Sequence, residues 1–428
     1  MNRSSKLKLK EYWTFRKHSN TKFTHGLHPY PARMHPEIAR HIILDYAENK
    51  KTIVIDPFVG SGGVLIESML HGNTSVGFDV NPFAVLLSKV KTTVINPNIA
   101  KQEYLRIIEK SKRDYERGKF YPELIPDGFD IKFWIKPNVI KKLSIIKHHI
   151  YNSNENTNII DFLRICFSLT TRIVSNQRKE EYKIYRMNRV QLQSFHPNVF
   201  ETFEEICERN CSLASEFRST MKNNKTKTIV KLGNALDFSE NFKKLHLDDS
   251  KGHLIMTSPP YGDHTTTVAY GQFSTHSGLW IGMDERELKG VDKIGLGGKW
   301  REDYDENGLG STRLSLDLKE VAKKDPQRAH QVYWFFSDLD RSLEEFSKVL
   351  KPGKSHLCFV VGNRTVRRTT IHMDRILVEL GNKYHFKHLV TYPRNITNKI
   401  IPHKNTPENI SDYTGKTMTE ESIVLMKY

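Results

Sequence analysis

Two short stretches of this chain bring together residue types suited to small-molecule chemistry. The first, Asp56 to Gly63, reads DPFVGSGG, with Phe58, Gly60 and Gly62 in an F-x-G-x-G pattern. Glycine has no Cβ, so its backbone can approach a ligand closely. Asp79 stands 17 positions beyond Gly62, at the end of the next β-branched run. An acid there can accept hydrogen bonds from both ribose hydroxyls of a nucleoside. A glycine run alone is often only a turn, but loop, strand and acid in this order say more. No G-K-[ST] follows, so this is not a phosphate loop. Leu65 occupies the place of the third glycine of a dinucleotide fingerprint. The pattern therefore points to a nucleoside without a pyrophosphate.

The second stretch, TSPPYGD, runs from Thr257 to Asp263. Pro259 and Pro260 have fixed φ and no N–H, which leaves carbonyl acceptors in a rigid turn. Ser258 adds a hydroxyl and Tyr261 a flat aromatic face. This set suits a planar base bearing an amino group. The serine oxygen and a proline carbonyl would accept its two hydrogens while the tyrosine stacks on the ring. The nitrogen lone pair, drawn out of conjugation, is then free to attack a methyl group. The competing reading is a structural Pro-Pro loop with a buried tyrosine. Its position after an apolar strand, downstream of the glycine loop, weighs against that.

The surrounding pattern has to position these groups. Residues 51–95 read strand, glycine turn, helix, strand, acid, helix, the opening of a doubly wound α/β sheet. From about 101 to 226 long charged helical stretches replace the strands, and residues 222–227 look like an exit linker. Strand signals return in TIVKLGNALDF and HLIMTSPPYGD. Residues 264–330 are polar and glycine-rich with little regular signal. FSDLDRSLEEFSKVLKPG has amphipathic helical spacing, SHLCFVVGN reads as a buried strand and MDRILVELGNKY as a helix. FKHLVTYPRN and ESIVLMKY read as two strands able to pair antiparallel. The expected fold class is α/β, one sheet split by a mostly helical insertion and closed by a C-terminal antiparallel hairpin.

DPFVGSGG…GFDVNP followed by TSPPYGD resembles the amino-methylating DNA methyltransferases, whose catalytic turn is [DNS]-P-P-[YFW]. The Ser-Pro-Pro-Tyr form is typical of the cytosine-N4 branch, Asp-Pro-Pro-Tyr of the adenine-N6 branch. HGLHPYPARMHPEIARHII resembles the family's N-terminal cofactor motif. LGNALDF resembles the segment whose acid contacts the adenine amine, here Asp237. The resemblance implies a Rossmann-like methyltransferase sheet with S-adenosylmethionine as cofactor. It implies cofactor roles for Asp56, Phe58, Gly60, Gly62, Asp79 and Asp237, and catalytic roles for Ser258, Pro259, Pro260 and Tyr261. It divides the chain into an N-terminal segment (1–50), a catalytic domain (51–100 and 227–428) and the helical insertion (101–226), a candidate for target recognition. Residues 262–330 form a second candidate DNA-contacting region. The implied partners are double-stranded DNA, with the target base flipped out of the helix, and a separate restriction endonuclease. Two features depart from the family pattern. Gly63 stands where Thr is frequent, and the long insertion leaves the motif-order class open. The rival readings are an adenine-N6 enzyme, an RNA guanine-N2 methyltransferase and a DNA-gripping module without activity. About 50 residues precede the glycine loop, too few for the RNA-binding domain such RNA enzymes usually carry.

Composition agrees with a polyanionic partner. Lys and Arg outnumber Asp and Glu by 66 to 49, for a net charge of +17. Two basic stretches are candidate DNA contacts or ordinary solvated faces. Residues 171–189 hold Arg172, Arg178, Lys179, Lys183, Arg186 and Arg189 with Tyr182 and Tyr185. Residues 362–375 hold Arg364, Arg367 and Arg368. Tyr270, Phe273 and Trp280, after the catalytic turn, read equally as walls of a base pocket or as core. The cysteines are Cys166, Cys207, Cys211 and Cys358. Cys207 and Cys211 lack a second ligand pair, so core thiols are expected rather than zinc. Few cysteines, no signal-like leader and no long apolar run lead to the expectation of a cytoplasmic protein off the membrane.

Overall fold

The β-branched runs form the centre of the molecule because strands covered on both faces must be apolar throughout. The computed structural model describes residues 3–47, 51–179, 183–222, 224, 226–247, 252–261, 269–396, 404–405, 415–416 and 418–428. In chain order its strands are β1 (Ile53–Asp56), β2 (Ser75–Asp79), β3 (Thr228–Leu232), β4 (His253–Thr257), β5 (His356–Val361), β6 (Arg364–Val366), β7 (Thr369–Ile371), β8 (Lys387–Asn395), β9 (Lys404–Asn405), β10 (Gly415–Lys416) and β11 (Glu420–Lys427). Seven of them make one sheet in the order β3-β2-β1-β4-β5-β11-β8. The first five are mutually parallel. β11 runs antiparallel to both β5 and β8, the C-terminal hairpin of the expected α/β fold. β6 and β7 form a separate small hairpin, and β9 pairs with β10.

Helices cover both faces. On one side Ile38, Ile42 and Ile43 of the helix Pro36–Tyr46 pack with Trp13 and Phe15 on Val54, Leu254, Met256 and Cys358. On the other, Phe335, Phe336 and Phe346 of the helix Pro326–Ser347 pack on Ile53, Ile55, Ile255 and Phe359. Alternate residues of β1 and β4 thus face opposite layers, the period of two that a strand imposes. The N-terminal segment is tied to the far edge, where Trp13 stacks on Tyr392 of β8 at 4.9 Å.

Between β2 and β3 the described residues are mainly helical. The helices Pro97–Glu116, Pro137–Tyr151, Thr157–Ile173 and Val199–Met221 share one core with Phe83, Phe273 and Trp280. Residues 269–330 correct the expectation of weak regular structure there. They contain the helices Tyr270–Gly278, Glu285–Ile294 and Thr312–Ala322. Caps define the latter two, since Asp284 accepts from two backbone N–H groups and Ser311 from Leu314 N. Glycines within and between these helices broke the apolar period. The helix Pro326–Ser347 likewise starts well before Phe336, at a Pro capped by Asp325. Among the described residues no helix is long and apolar enough to cross a membrane.

Candidate active site

The order of the strands sets the site. The chain leaves β1 toward β2 on one side, while β4 adds on the other, so the sheet reverses direction at β1 and β4. A crevice opens outside the carboxyl ends of the strands at such a point. β1 and β4 are hydrogen-bonded neighbours with Ile55 opposite Ile255, so they run about 4.8 Å apart. The glycine loop after β1 and the Ser-Pro-Pro-Tyr turn after β4 therefore emerge side by side.

A buried carboxylate joins the two exits. Asp56 Oδ1 accepts the Thr257 hydroxyl at 2.6 Å and Phe58 N–H at 3.1 Å. Burial raises the Asp56 carboxyl to about 7, against the pull of those two hydrogen bonds.

The loop is held in a shape only glycine adopts without strain. Gly60 has φ 48° and Gly62 φ 80°. A Cβ on Gly60 would come within 3.3 Å of the Tyr30 ring, and one on Gly62 within 3.1 Å of Ser88 Oγ. Ser88 Oγ donates to Gly60 O at 2.7 Å, fixing the loop from the helix Pro82–Lys91. Asp79 at the end of β2 accepts Gly60 N–H at 2.8 Å and Asn81 N–H at 2.9 Å, one on each oxygen. A carboxylate oxygen has a second lone pair, so each keeps capacity for a ligand hydroxyl. Burial lifts the Asp79 carboxyl to about 6, and these N–H groups oppose the lift.

Several residues of the site escaped the motif reading. Asn81 donates to Tyr30 Oη at 3.0 Å and to Ser274 Oγ at 2.7 Å while capping its own helix through Phe83 N. Tyr30 is the buried wall behind Gly60. Both lie within the segments HGLHPYPARMHPEIARHII and GFDVNP, where residue type and spacing alone give them no role. Tyr270 lies 5.9 Å from Tyr30, and burial followed by the charges of Asp79 and Asp292 holds its hydroxyl well above the usual range. Of the three aromatics after the catalytic turn, Tyr270 joins the site, whereas Phe273 and Trp280 are core.

In the turn, Ser258 Oγ lies 3.1 Å from Tyr261 Oη, which in turn donates to Glu421 Oε1 at 3.1 Å. Arg364 Nη1 donates to the Tyr261 carbonyl at 3.0 Å. Burial and the neighbouring Glu421 carboxylate keep the Tyr261 hydroxyl protonated. Glu421 pairs with Arg394 across the β11–β8 ladder. Asp237 is not drawn in with the rest. It is exposed in the turn after β3, with Arg341 3.8 Å away.

The candidate DNA contacts divide. Arg172 is buried with its guanidinium 4.1 Å over the Phe273 ring, so it is packing rather than a phosphate contact. Arg364 braces the Ser-Pro-Pro-Tyr turn and is likewise reassigned. Burial decided the first and a hydrogen bond to the turn the second, neither visible to a reading of charge alone. Arg367 reaches Asp325 across 2.8 Å. Arg178, Lys179, Lys183, Arg186 and Arg189 are exposed with Tyr185, and Tyr182 lies outside the described residues. Their segment folds back through a bridge between Gln177 and Arg186. It touches the site's flank where Ile184 N–H donates to Gln272 Oε1 at 3.1 Å, on the helix that holds Tyr270. All four cysteines are buried.

Residues 2–90 match a family model described as DNA methylase. The chain is 37% identical over 426 residues to the Type II methyltransferase M.MvaI of Kocuria varians, covering 96% of this chain and 92% of that one. It is 35% identical over 92 residues to the Type II methyltransferase M.MjaII of Methanocaldococcus jannaschii, covering 22% and 17%. A solved rRNA methyltransferase from Streptomyces viridochromogenes overlays 94% of this chain and 88% of its own at a TM-score of 0.34 and 9% identity, a likeness too loose to argue from.

Proposed function

The chain belongs to the amino-methylating DNA methyltransferases, with S-adenosylmethionine as methyl donor, and from that premise we propose that it methylates the exocyclic N4 amine of cytosine at specific sites in duplex DNA. The supporting observation is the residue at the head of the turn. Ser258, a neutral hydroxyl, stands beside the glycine loop where the adenine branch has a carboxylate.

The donor set suits the cofactor. Gly60 and Gly62 leave no Cβ in the cradle and Asp79 offers an acceptor on each oxygen for the ribose hydroxyls, while Asp237, exposed in the turn after β3, is the candidate partner for the adenine amine by its motif alone. Asp56 and Phe58 hold the floor of the loop in register with β4. When bound, S-adenosylmethionine supplies an electrophilic methyl group. Ser258 Oγ and a carbonyl of Pro259 or Pro260 accept the two amine hydrogens, which turns the nitrogen lone pair outward. The Tyr261 ring stacks on the base, and the proton lost from nitrogen passes to water. No covalent bond to the base is required.

A paired amine is out of reach in a duplex, so the target base is flipped, at about a few kcal/mol. Phosphate contacts from Arg178, Lys179, Lys183 and Arg189 offset this cost, and cleavage of unmodified sites falls to a separate restriction endonuclease. The test is transfer of a labelled methyl group to defined duplexes, followed by nucleoside analysis. Label in N4-methylcytosine supports the reading. Label only in N6-methyladenine, or only on RNA, overturns it.

A further inference from the structure

The carboxylate missing from the head of the catalytic turn is present two hydrogen bonds away. Glu421 sits on β11, 160 residues downstream of Tyr261, and its Oε1 accepts the Tyr261 hydroxyl. Its other oxygen pairs with Arg394, whose Nε donates to the Trp13 carbonyl at 3.0 Å. Arg394 is buried, which fixes the carboxylate in one place.

The chain of donors has a direction. A phenol has one hydrogen, and Tyr261 gives it to Glu421. Only lone pairs of Tyr261 Oη then remain toward Ser258, 3.1 Å away. Ser258 must donate its own hydrogen to Tyr261. Its oxygen therefore presents acceptor capacity alone to the crevice, and hydrogen bonds in such a series polarise one another.

We propose that Glu421 is a positioning residue for methyl transfer, acting through the Tyr261 hydroxyl to orient Ser258 Oγ as a hydrogen-bond acceptor and to lend it part of the negative charge an aspartate would carry there. This rests on the reading of Ser258 as the acceptor of the target amine. The contact ties the last strand of the sheet to the catalytic turn. It also gives the hydroxyl of Tyr261 a task separate from that of its ring.

Because Glu421 and Arg394 are also cross-strand partners, loss of stability alone would prove nothing, and the test is a double-mutant cycle read in kcat. Glu421→Gln, Tyr261→Phe and the double variant are assayed at saturating DNA and S-adenosylmethionine, with both dissociation constants and Tm measured alongside. Each single variant should lose about 10- to 100-fold in kcat, the size of loss seen when outer-shell partners of metal ligands are removed. Binding of cofactor and DNA should stay within about twofold of the native value. The double variant should be no slower than Tyr261→Phe, since the charge acts only through that hydroxyl. An unchanged kcat in either single variant, or losses that multiply in the double, overturns the proposal. If Glu421→Gln fails to fold, Tyr261→Phe, which leaves the ion pair intact, still decides it. Ser258→Ala separates the two levels. Full kcat in that variant defeats the underlying reading of the turn, whereas a crippled Ser258→Ala beside an unaffected Glu421→Gln defeats only the relay.

Discussion

The Thr257 hydroxyl donates to Asp56 Oδ1 over 2.6 Å, fastening the last residue of β4 to the last residue of β1. This buried bond adds to the strand pairing that sets the glycine loop beside the Ser-Pro-Pro-Tyr turn. Thr257→Val keeps the shape and leaves a buried carboxylate oxygen with one partner fewer, a cost of about 1–3 kcal/mol. The variant should fold, bind S-adenosylmethionine within a few-fold of normal, and lose turnover on unmodified DNA. Unchanged kcat would separate this bond from alignment of the site.

Asp56 and Asp79 make stability depend on pH in an unusual direction. Burial raises both carboxyls in the folded state, to about 7 and about 6, above the 3.8 of an unperturbed aspartate. The folded protein binds these protons more tightly than the unfolded chain. Their contribution is fully present below pH 3.8 and is lost as pH rises through 6 and 7. Asp56→Asn should therefore flatten the pH dependence of Tm of the ligand-free protein between pH 5 and 8. A curve of native slope in that variant would contradict the assignment.

Cofactor binding should show the opposite trend. Ionised Asp79 is the better acceptor for ribose hydroxyls, so the dissociation constant for S-adenosylmethionine should rise as pH falls through about 6. Asp79→Asn should bind more weakly at neutral pH and show a flat profile. Calorimetric titration from pH 5 to 8 reads both.

Adjacent glycines in the loop should differ sharply. Gly60→Ala and Gly62→Ala force a left-handed backbone on a residue with a Cβ and press it against Tyr30 or Ser88. Cofactor affinity should fall by at least tenfold, about 1.4 kcal/mol. A Cβ at Gly63 meets nothing within 4 Å, so Gly63→Ala should bind and turn over normally. Equal damage at all three positions would discredit the loop geometry.

The exposed and buried arginines of one segment should separate cleanly. Arg178→Ala, Lys183→Ala and Arg189→Ala should each lower the slope of log affinity against log salt by up to about 0.9 for every lost phosphate contact, without change in Tm. Phe273→Ala, which empties the buried ring beneath Arg172, should cost about 3–5 kcal/mol of stability. A changed salt slope in Arg172→Ala at unchanged Tm would return that residue to the DNA face.

The sequence by itself determined what is local. Strand, glycine turn, helix, strand and acid follow one another within residues 53–91, so residue type and spacing expose the glycine loop and the acid that faces it, and the two prolines announce a rigid turn. The helical character of residues 101–226 was legible for the same reason, since its period of 3.6 persists over many turns. The tertiary structure decided what depends on distant segments meeting. Asp56 finds Thr257 two hundred residues on, Tyr30 backs Gly60, Tyr261 reaches Glu421 on the final strand, Arg172 packs over Phe273 and Arg364 reaches the Tyr261 carbonyl. None of these leaves a periodic trace, because a contact across a sheet is set by strand order and register rather than by separation along the chain.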